Sequence, residues 1–441
     1  MDLNARFRNV SVIGAAGKMG SGITLLLAQE MAFRAIEDKA GSYVLNLIDV
    51  QEVALEGLLS YLQEHGEREA EKQLPRLRQL YRDQGDDEAI QAFVHELLRH
   101  VRTGTALSLA RESLLVFEAC FENEALKTGI YRELAHLCPR ETYFCSNTSS
   151  IPLHVLSEAS GIQGRLVGFH FYNPAAVQKL IELITPQDCS SELKELSLEI
   201  AKILGKTVVT SNDIAGFIGN GYLMRDGLHA IAEVERLAPE FGFHQALYLV
   251  DRVSRDWLLR PMGIFQLMDF VGLDVFQLIL NVMNQHLPED LHCDLIDRFV
   301  MKGNKGGVTF SGVQKDGFFR YEKTQPVAVF NPASDDYTPL DQPWAWEITE
   351  RLGEHPDPSL SWKNLNRDPQ RKAKLAAYFQ GFKKGSTLAE DLAIRHLQAD
   401  RRTALKLVEQ GVAACAEDVN RVLQLGFLHL YGPINDYLSE G

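Results

Sequence analysis

The sequence predicts an α/β fold, a doubly wound parallel sheet followed by two all-helical domains. Three observations predict it. A strand, a glycine-rich turn and an apolar helix open the chain; strand and helix patterns alternate from there to Phe171; and beyond Thr210 apolar residues recur at helical spacing. The expected boundaries are 1–210 for the sheet domain, with a helical hairpin inserted at 53–105. A helical domain follows at 211–323, then a proline-rich linker at 324–344 and a second, degenerate helical domain at 345–441.

At 441 residues, a prior of roughly 150 residues per domain allows about three. A hydrophobic content of 45% and a charged content of 24% are those of a globular chain able to bury cores. The net charge of -14 argues against nucleic acid or an anionic membrane as a bulk partner. An anionic substrate would need a local basic pocket. The six cysteines are scattered, without paired spacing, so reduced thiols are expected rather than disulfides or a metal site. The first residues lack the apolar core of a signal peptide and no apolar run approaches a membrane span, so a soluble, cytoplasmic protein is expected.

Asn9 to Ile13 reads as a buried strand, followed by Gly14-Ala15-Ala16-Gly17-Lys18-Met19-Gly20-Ser21-Gly22 and an apolar helix. Glycines in such a turn let the backbone approach a pyrophosphate, while the helix start offers free amides and a positive dipole end. Gly14, Ala16, Gly17, Lys18, Met19 and Gly20 are therefore candidate cofactor contacts. Tyr43 to Ile48 is a second strand and ends in Asp49, whose carboxylate suits the two ribose hydroxyls and would repel a 2′-phosphate. NAD is favoured over NADP on that ground; a solvated strand-end acid is the other reading of Asp49. The gap from Gly20 to Asp49 exceeds the usual ~20 residues, which implies a helix or loop extension around 33–42.

From Val53 to about His100 the chain is charged and helix-forming, with leucines at 58, 59, 62, 74, 77 and 80 marking an inserted helical hairpin. Sheet patterns resume at Leu114–Ala119, Tyr143–Cys145 and Arg165–Phe171, with a helix over Glu124–Leu137. Ser146-Asn147-Thr148-Ser149-Ser150 follows a strand end, where hydroxyls and amides suit either a ligand or a helix N-cap. The chemistry centres on Gly168-Phe169-His170-Phe171-Tyr172-Asn173-Pro174 and on Leu180–Ile184, which carries Glu182. A histidine beside a carboxylate on an adjacent strand is a general base with its orienter.

These residues together resemble the 3-hydroxyacyl-CoA dehydrogenase family, from about Val10 to Tyr321. The signatures occur in order: Val12 through Gly22, Asp49, Glu118-Ala119 with Glu122-Asn123, Ser146 to Ser150, Gly168 to Pro174 with Lys179 to Glu182, Gly216 to Asn220, and Arg260 to Gly263 with Asp269 to Asp274. The resemblance implies a Rossmann-like nucleotide fold and NAD-dependent oxidation of a (3S)-3-hydroxyacyl-CoA to the 3-oxoacyl-CoA, or its reverse. It implies His170 as the acid/base, Glu182 as its partner, and Ser149 and Asn220 as donors to the reacting oxygen or thioester carbonyl. Glu118, Asn123 and Asn173 would lie along the cofactor. Departures are visible. The glycine loop carries an extra residue, and Lys315 is displaced from the lysine that relatives place before a Gly-x-Gly-Phe stretch. Of the serine and lysine that relatives set near CoA, His65 and Lys72 stand here, so only Lys72 fits.

Beyond Val208 the patterns at Phe217–Ala238, Gln245–Ser254 and Gly263–Met283 are helical. Residues 402–438 echo that order, and the resemblance to longer family members with a repeated helical domain implies a monomer with an internal pseudo-dimer; a homodimer is the alternative. Two other functions compete: a dehydrogenase of a CoA-free hydroxy acid on the same fold, and a non-catalytic NAD-binding scaffold.

Overall fold

A short helix, α1 (Leu3–Phe7), leads into β1 (Asn9–Ile13), and the glycine turn passes the chain to α2 (Lys18–Glu37). The computed structural model describes residues 3–38, 41–309, 312–382 and 386–437, and divides at Asp213 into two compact units. α2 is 20 residues long, so the surplus between Gly20 and Asp49 is largely helix; residues 39 and 40 of that stretch lie outside the described ones. β2 (Val44–Ile48) then pairs with β1 in parallel, Ile48 opposite Ile13.

The insertion consists of α3 (Glu52–Lys72), α4 (Leu74–Leu80) and α5 (Asp86–Arg99), with α3 packed on α5. It ends before 105, because Val101–Gly104 joins the sheet as β3, an edge strand beside β2. Its middle residues, Arg102 and Thr103, are exposed, so it lacks the apolar run by which buried strands are read. The unit continues with β4 (Leu115–Glu118), α6 (Glu124–Leu137), β5 (Tyr143–Ser146), α7 (Leu153–Ser160), β6 (Leu166–Phe171), β7 (Leu180–Ile184), α8 (Ser191–Ile203) and β8 (Thr207–Ser211). The eight strands lie in the order β3-β2-β1-β4-β5-β6-β7-β8, with only β6 and β7 antiparallel.

Every residue of β4, β5, β6 and β7 is buried, as expected of strands covered on both faces. Burying side chains such as Phe117, Phe169 and Leu183 stabilises the fold by roughly 1.5–3 kcal/mol each. Parallel register aligns the carboxyl ends: Ile13 sits opposite Ile48 and Glu118, and Glu118 opposite Ser146. The strand order reverses between β1 and β4, the topological switch point where such sheets bind ligands. β6 pairs Gly168 with Ser146 and then runs on, so His170 stands beyond the last paired residue of β5.

The second unit opens with α9 (Gly219–Phe241) and α10 (Phe243–Arg252), which pack on each other, and a π-helical turn at Val253–Trp257. α11 (Ile264–Val271), α12 (Leu273–His286) and α13 (Asp294–Lys302) follow. The stretch 324–344 corrects the sequence reading: it is no linker, and the helical half is not wholly helical. β9 (Phe319–Glu322), β10 (Gln325–Asn331) and β11 (Asp336–Pro339) form an antiparallel sheet. Pro326 sits at a break in the β9–β10 register and Pro339 at a strand end, positions where the missing N–H costs no ladder bond, while Ala328, Val329 and Phe330 are buried. The chain closes with α14 (Pro343–Leu352), α15 (Trp362–Leu365), α16 (Arg371–Gln380), α17 (Leu388–Glu409) and α18 (Ala416–Gly426). The last residues of the expected 345–441 domain, 438–441, lie outside the described ones.

α17 and α18 repeat α9 and α10. Gly242 and Gly411, each at positive φ, end the longer helix of each pair. The Asp251 carboxylate accepts from the Phe265 amide and lies against Gly263, where a Cβ would come within 2.1 Å. The Asn420 amide oxygen accepts from Ile434 and lies against Gly432, again with 2.1 Å to a Cβ. α17 also packs across α9. Between them Arg260 donates to Asp226 at 2.8 Å and Asp400 at 2.7 Å, and His396 meets Asp226 at 2.7 Å, all four side chains buried. The guanidinium supplies the positive charge that the two carboxylates need. All six cysteines are free. Among the described residues no single helix is long and apolar enough to cross a membrane.

Candidate active site

The glycine turn between β1 and α2 is built for close approach. Gly14 has φ +74°, and a Cβ there would lie 2.8 Å from the Ala119 carbonyl oxygen. A Cβ on Gly20 would fall 1.9 Å from the Gly14 carbonyl oxygen. Neither position tolerates a side chain, and the turn is thereby held against β4. Gly17 is the N-cap of α2, so the positive end of the helix dipole faces this turn, which suits an anion. Gly17 and Lys18 are exposed, and Ala16 and Met19 half-buried. Asp49 lies beside this turn: Oδ2 accepts from the Ala16 amide at 3.1 Å and Oδ1 from Gln51 at 3.2 Å. A carboxylate next to a pyrophosphate cradle fits the adenosine ribose and diphosphate of a dinucleotide, so the residues present suit NAD.

The end of β4 differs from the sequence expectation for Glu118. That side chain is fully buried, and its carboxylate accepts from Lys127 Nζ at 2.6 Å, the Cys120 amide at 2.6 Å, Ser146 Oγ at 2.8 Å and Tyr131 Oη at 2.9 Å. Its work is to knit β4, β5 and α6 together at the carboxyl end of the sheet. Asn123 caps α6, with Oδ1 accepting from the Leu126 amide at 2.8 Å.

The neighbouring Glu122 was quoted in the sequence only as part of a motif, yet it organises the 148–150 turn. One oxygen, Oε1, accepts from Thr148 Oγ1 at 2.7 Å, from the Ser149 and Ser150 amides at 2.9 Å, from Ser150 Oγ at 2.9 Å and from Ser149 Oγ at 3.3 Å. Burial would raise its pKa, but Lys127 and these donors outweigh burial and hold the carboxyl below its ordinary value. Asn147, read in the sequence as part of the 146–150 stretch, accepts from the Phe171 amide at 2.9 Å and ties the same turn to the end of β6.

His170 and Glu182 are direct cross-strand partners in the antiparallel β6–β7 pair. Their side chains share a face, and His170 Nδ1 lies 3.2 Å from Glu182 Oε1. Glu182 is fully buried and His170 nearly so. With Nδ1 turned to the carboxylate, Nε2 is the ring nitrogen not engaged by Glu182. Tyr172, missed in the sequence reading, donates from Oη to the same Oε1 at 2.5 Å. Asn173 follows half-buried. Lys206, another omission, donates to the Ala175 and Gln178 carbonyls at 2.6 and 2.7 Å and closes the loop between β6 and β7. A lone lysine or glutamate carries no pattern, so only tertiary contact reveals such roles.

The other two expected site residues, Lys72 and Asn220, stand on helices. Lys72 is exposed at the end of α3 and pairs with Glu69 one turn earlier. Asn220 belongs to the second unit, half-buried in the first turn of α9.

Two family models cover most of the chain. The 3-hydroxyacyl-CoA dehydrogenase NAD binding domain matches residues 9–214, and the C-terminal domain of the same family matches 216–316. A probable 3-hydroxybutyryl-CoA dehydrogenase of Deinococcus radiodurans is 30% identical over 70% of this chain and 99% of its own length. The chain belongs to the 3-hydroxyacyl-CoA dehydrogenase family. The mitochondrial hydroxyacyl-coenzyme A dehydrogenase of Rattus norvegicus is 31% identical over 64% of this chain and 82% of its own length. The solved structure of 3-hydroxybutyryl-CoA dehydrogenase from Escherichia coli matches with a TM-score of 0.62 at 19% identity, over 97% of this chain and 90% of that one, so the two share a fold. As a member of the 3-hydroxyacyl-CoA dehydrogenase family with its NAD binding domain, the chain is an NAD-dependent oxidoreductase.

Proposed function

We propose that this dehydrogenase oxidises the 3-hydroxyl of a (3S)-3-hydroxyacyl-CoA to the ketone, or runs the reverse, with His170 as the acid/base. The cross-strand pairing of His170 with Glu182 carries this reading. NAD, when bound, supplies the acceptor for hydride from C3. A secondary alcohol is a very weak acid, so its proton needs a base within hydrogen-bond reach as hydride leaves. His170 Nε2 is the proposed atom. Nδ1 stays with Glu182, whose negative charge steadies the imidazolium once the proton is taken. Burial of the pair strengthens that interaction over what water would allow. Ser149 is the proposed donor to the reacting oxygen: Glu122 holds its amide at 2.9 Å, and its hydroxyl proton would turn from the longer 3.3 Å contact with Glu122 to the substrate, where a donor stabilises developing charge. Asn220 is the second donor in the family-based reading.

The test is NADH-linked reduction of acetoacetyl-CoA by the wild type and by His170→Ala, together with oxidation of the (3S) and (3R) isomers of 3-hydroxybutyryl-CoA and of the free acid. The expected result is turnover of the CoA thioester with (3S) preference and a loss on the order of 10²–10⁴ in His170→Ala. A wild type inert on the thioester but active on the free acid points to a CoA-free substrate; one inert on both, yet binding NADH, points to a scaffold. An active His170→Ala removes the assigned base.

A further inference from the structure

We infer that Tyr172 is a positioning residue that sets how strongly Glu182 holds the imidazolium of His170. The inference rests on the reading of His170 as acid/base.

Geometry carries it. His170 lies opposite Glu182 in the antiparallel register. Tyr172, two residues further along, is the diagonal neighbour of Glu182, a separation that an aromatic side chain can span. Both groups reach one oxygen: Tyr172 Oη at 2.5 Å and His170 Nδ1 at 3.2 Å from Oε1. The phenol takes the closer contact. The two rings stand 5.0 Å apart at 36°, so both reach that single oxygen as near neighbours.

Burial first, and then the Glu182 charge, push the Tyr172 hydroxyl well above its ordinary pKa, so it remains a donor throughout the working pH range. A donor on a carboxylate stabilises the anion and weakens it as an acceptor for any second donor. Tyr172 therefore competes with the imidazolium for Glu182 Oε1 and weakens the hold of that oxygen on the ring. It also fixes which oxygen faces the ring.

Other titratable groups of the first unit are engaged in contacts of their own. On β5, burial holds the Cys145 thiol protonated. Glu118 is bound to Lys127, and Glu122 to the 148–150 turn. Lys206, lowered to about 8 by burial and by Lys179, bonds two carbonyls. It titrates inside the measured window, but identically in wild type and variant, so the difference between profiles isolates Tyr172.

The experiment is Tyr172→Phe, which deletes one oxygen and keeps the ring. The acid limb of kcat/KM for hydroxyacyl-CoA oxidation is expected to move up by roughly 0.5–1 pH unit, because Glu182 then gives its full acceptor strength to the imidazolium. In a Glu182→Gln background the same change is expected to leave the limb in place, since the charge being tempered is gone. An aromatic ring that only fills space lowers kcat/KM at every pH and leaves the limb fixed; that result, or an equal shift in both backgrounds, overturns the inference. An NMR titration of the His170 ring in the resting protein gives the same answer without turnover. If His170→Ala retains activity, the acid/base reading fails, while the titration still decides whether Tyr172 tunes the ring.

Discussion

Replacing Glu122 by glutamine removes one negative charge and almost no volume, so it tests whether charge organises the 148–150 turn. Five donors converge on its Oε1. A hydrogen bond to a charged acceptor contributes about 1.5–3 kcal/mol and a neutral one about 0.5–1.5, so each well-formed contact loses about 1 kcal/mol of charge assistance. One oxygen has two lone pairs, so about two contacts count in full, giving roughly 2 kcal/mol. Lys127 also loses a carboxylate 3.5 Å away, though Glu118 remains at 2.6 Å. The expected destabilisation is therefore roughly 2–4 kcal/mol, and for a unit of this size the melting midpoint falls by about 4–16 °C. Thermal unfolding followed by circular dichroism reads it, alongside kcat/KM, which should fall because Ser149 and Asn147 sit on the loosened turn. The sign with pH is also set. Glu122 has a depressed native pKa, so its contribution is present above the unfolded value of 4.5 and is lost as pH falls through the native one. The gap between wild type and Glu122→Gln should close on acidification. A variant melting within about 2 °C of wild type at pH 7, far inside the range expected from those bonds, would refute the reasoning.

Gly20→Ala should weaken NADH binding, read by quenching or calorimetry, by more than about tenfold, since its Cβ would meet the Gly14 carbonyl at 1.9 Å and open the cradle. The Lys206 ammonium, lowered from 10.5 to about 8, sheds its proton sooner in the native state than in the unfolded one. Between those values the unfolded state binds more protons, so wild-type stability relative to Lys206→Met should rise with pH from 8 to 10.5; a flat difference would argue that the amine is solvated. Arg260→Met leaves Asp226 and Asp400 buried without their shared counter-ion and should cost about 3–5 kcal/mol in the second unit, with partial rescue by Asp400→Asn. If α17 and α18 fill the place of a partner's helices, sedimentation should give a monomer, whereas a tight dimer formed through α9 would argue against that role.

The elements legible in the sequence are those with a local signal. β1, β6 and β7 showed as short apolar runs, α9 and α10 as helical periodicity, and the glycine turn as a spacing that only backbone sterics explain. β3 escaped because an edge strand needs no buried run, and β9 to β11 because prolines at bulges and strand ends imitate a linker. Of the site, His170 and Glu182 were legible as types on neighbouring strands. Glu118 was read as a cofactor contact; its full burial and its bonds to Lys127, Tyr131 and Ser146 emerge only from packing.

The sequence by itself determined the order of the buried strands and the amphipathic helices, the anion-binding turn and the presence of a base with an acid nearby, because these depend on side-chain period and on where a Cβ is forbidden. Only the tertiary structure decided that β7 runs antiparallel to β6, that Glu182 therefore lies opposite His170 with Tyr172 on the same oxygen, and that Glu122 gathers the 148–150 turn. Those contacts join residues far apart along the chain, and their register is set by how the whole sheet buries its two faces, which no local pattern encodes.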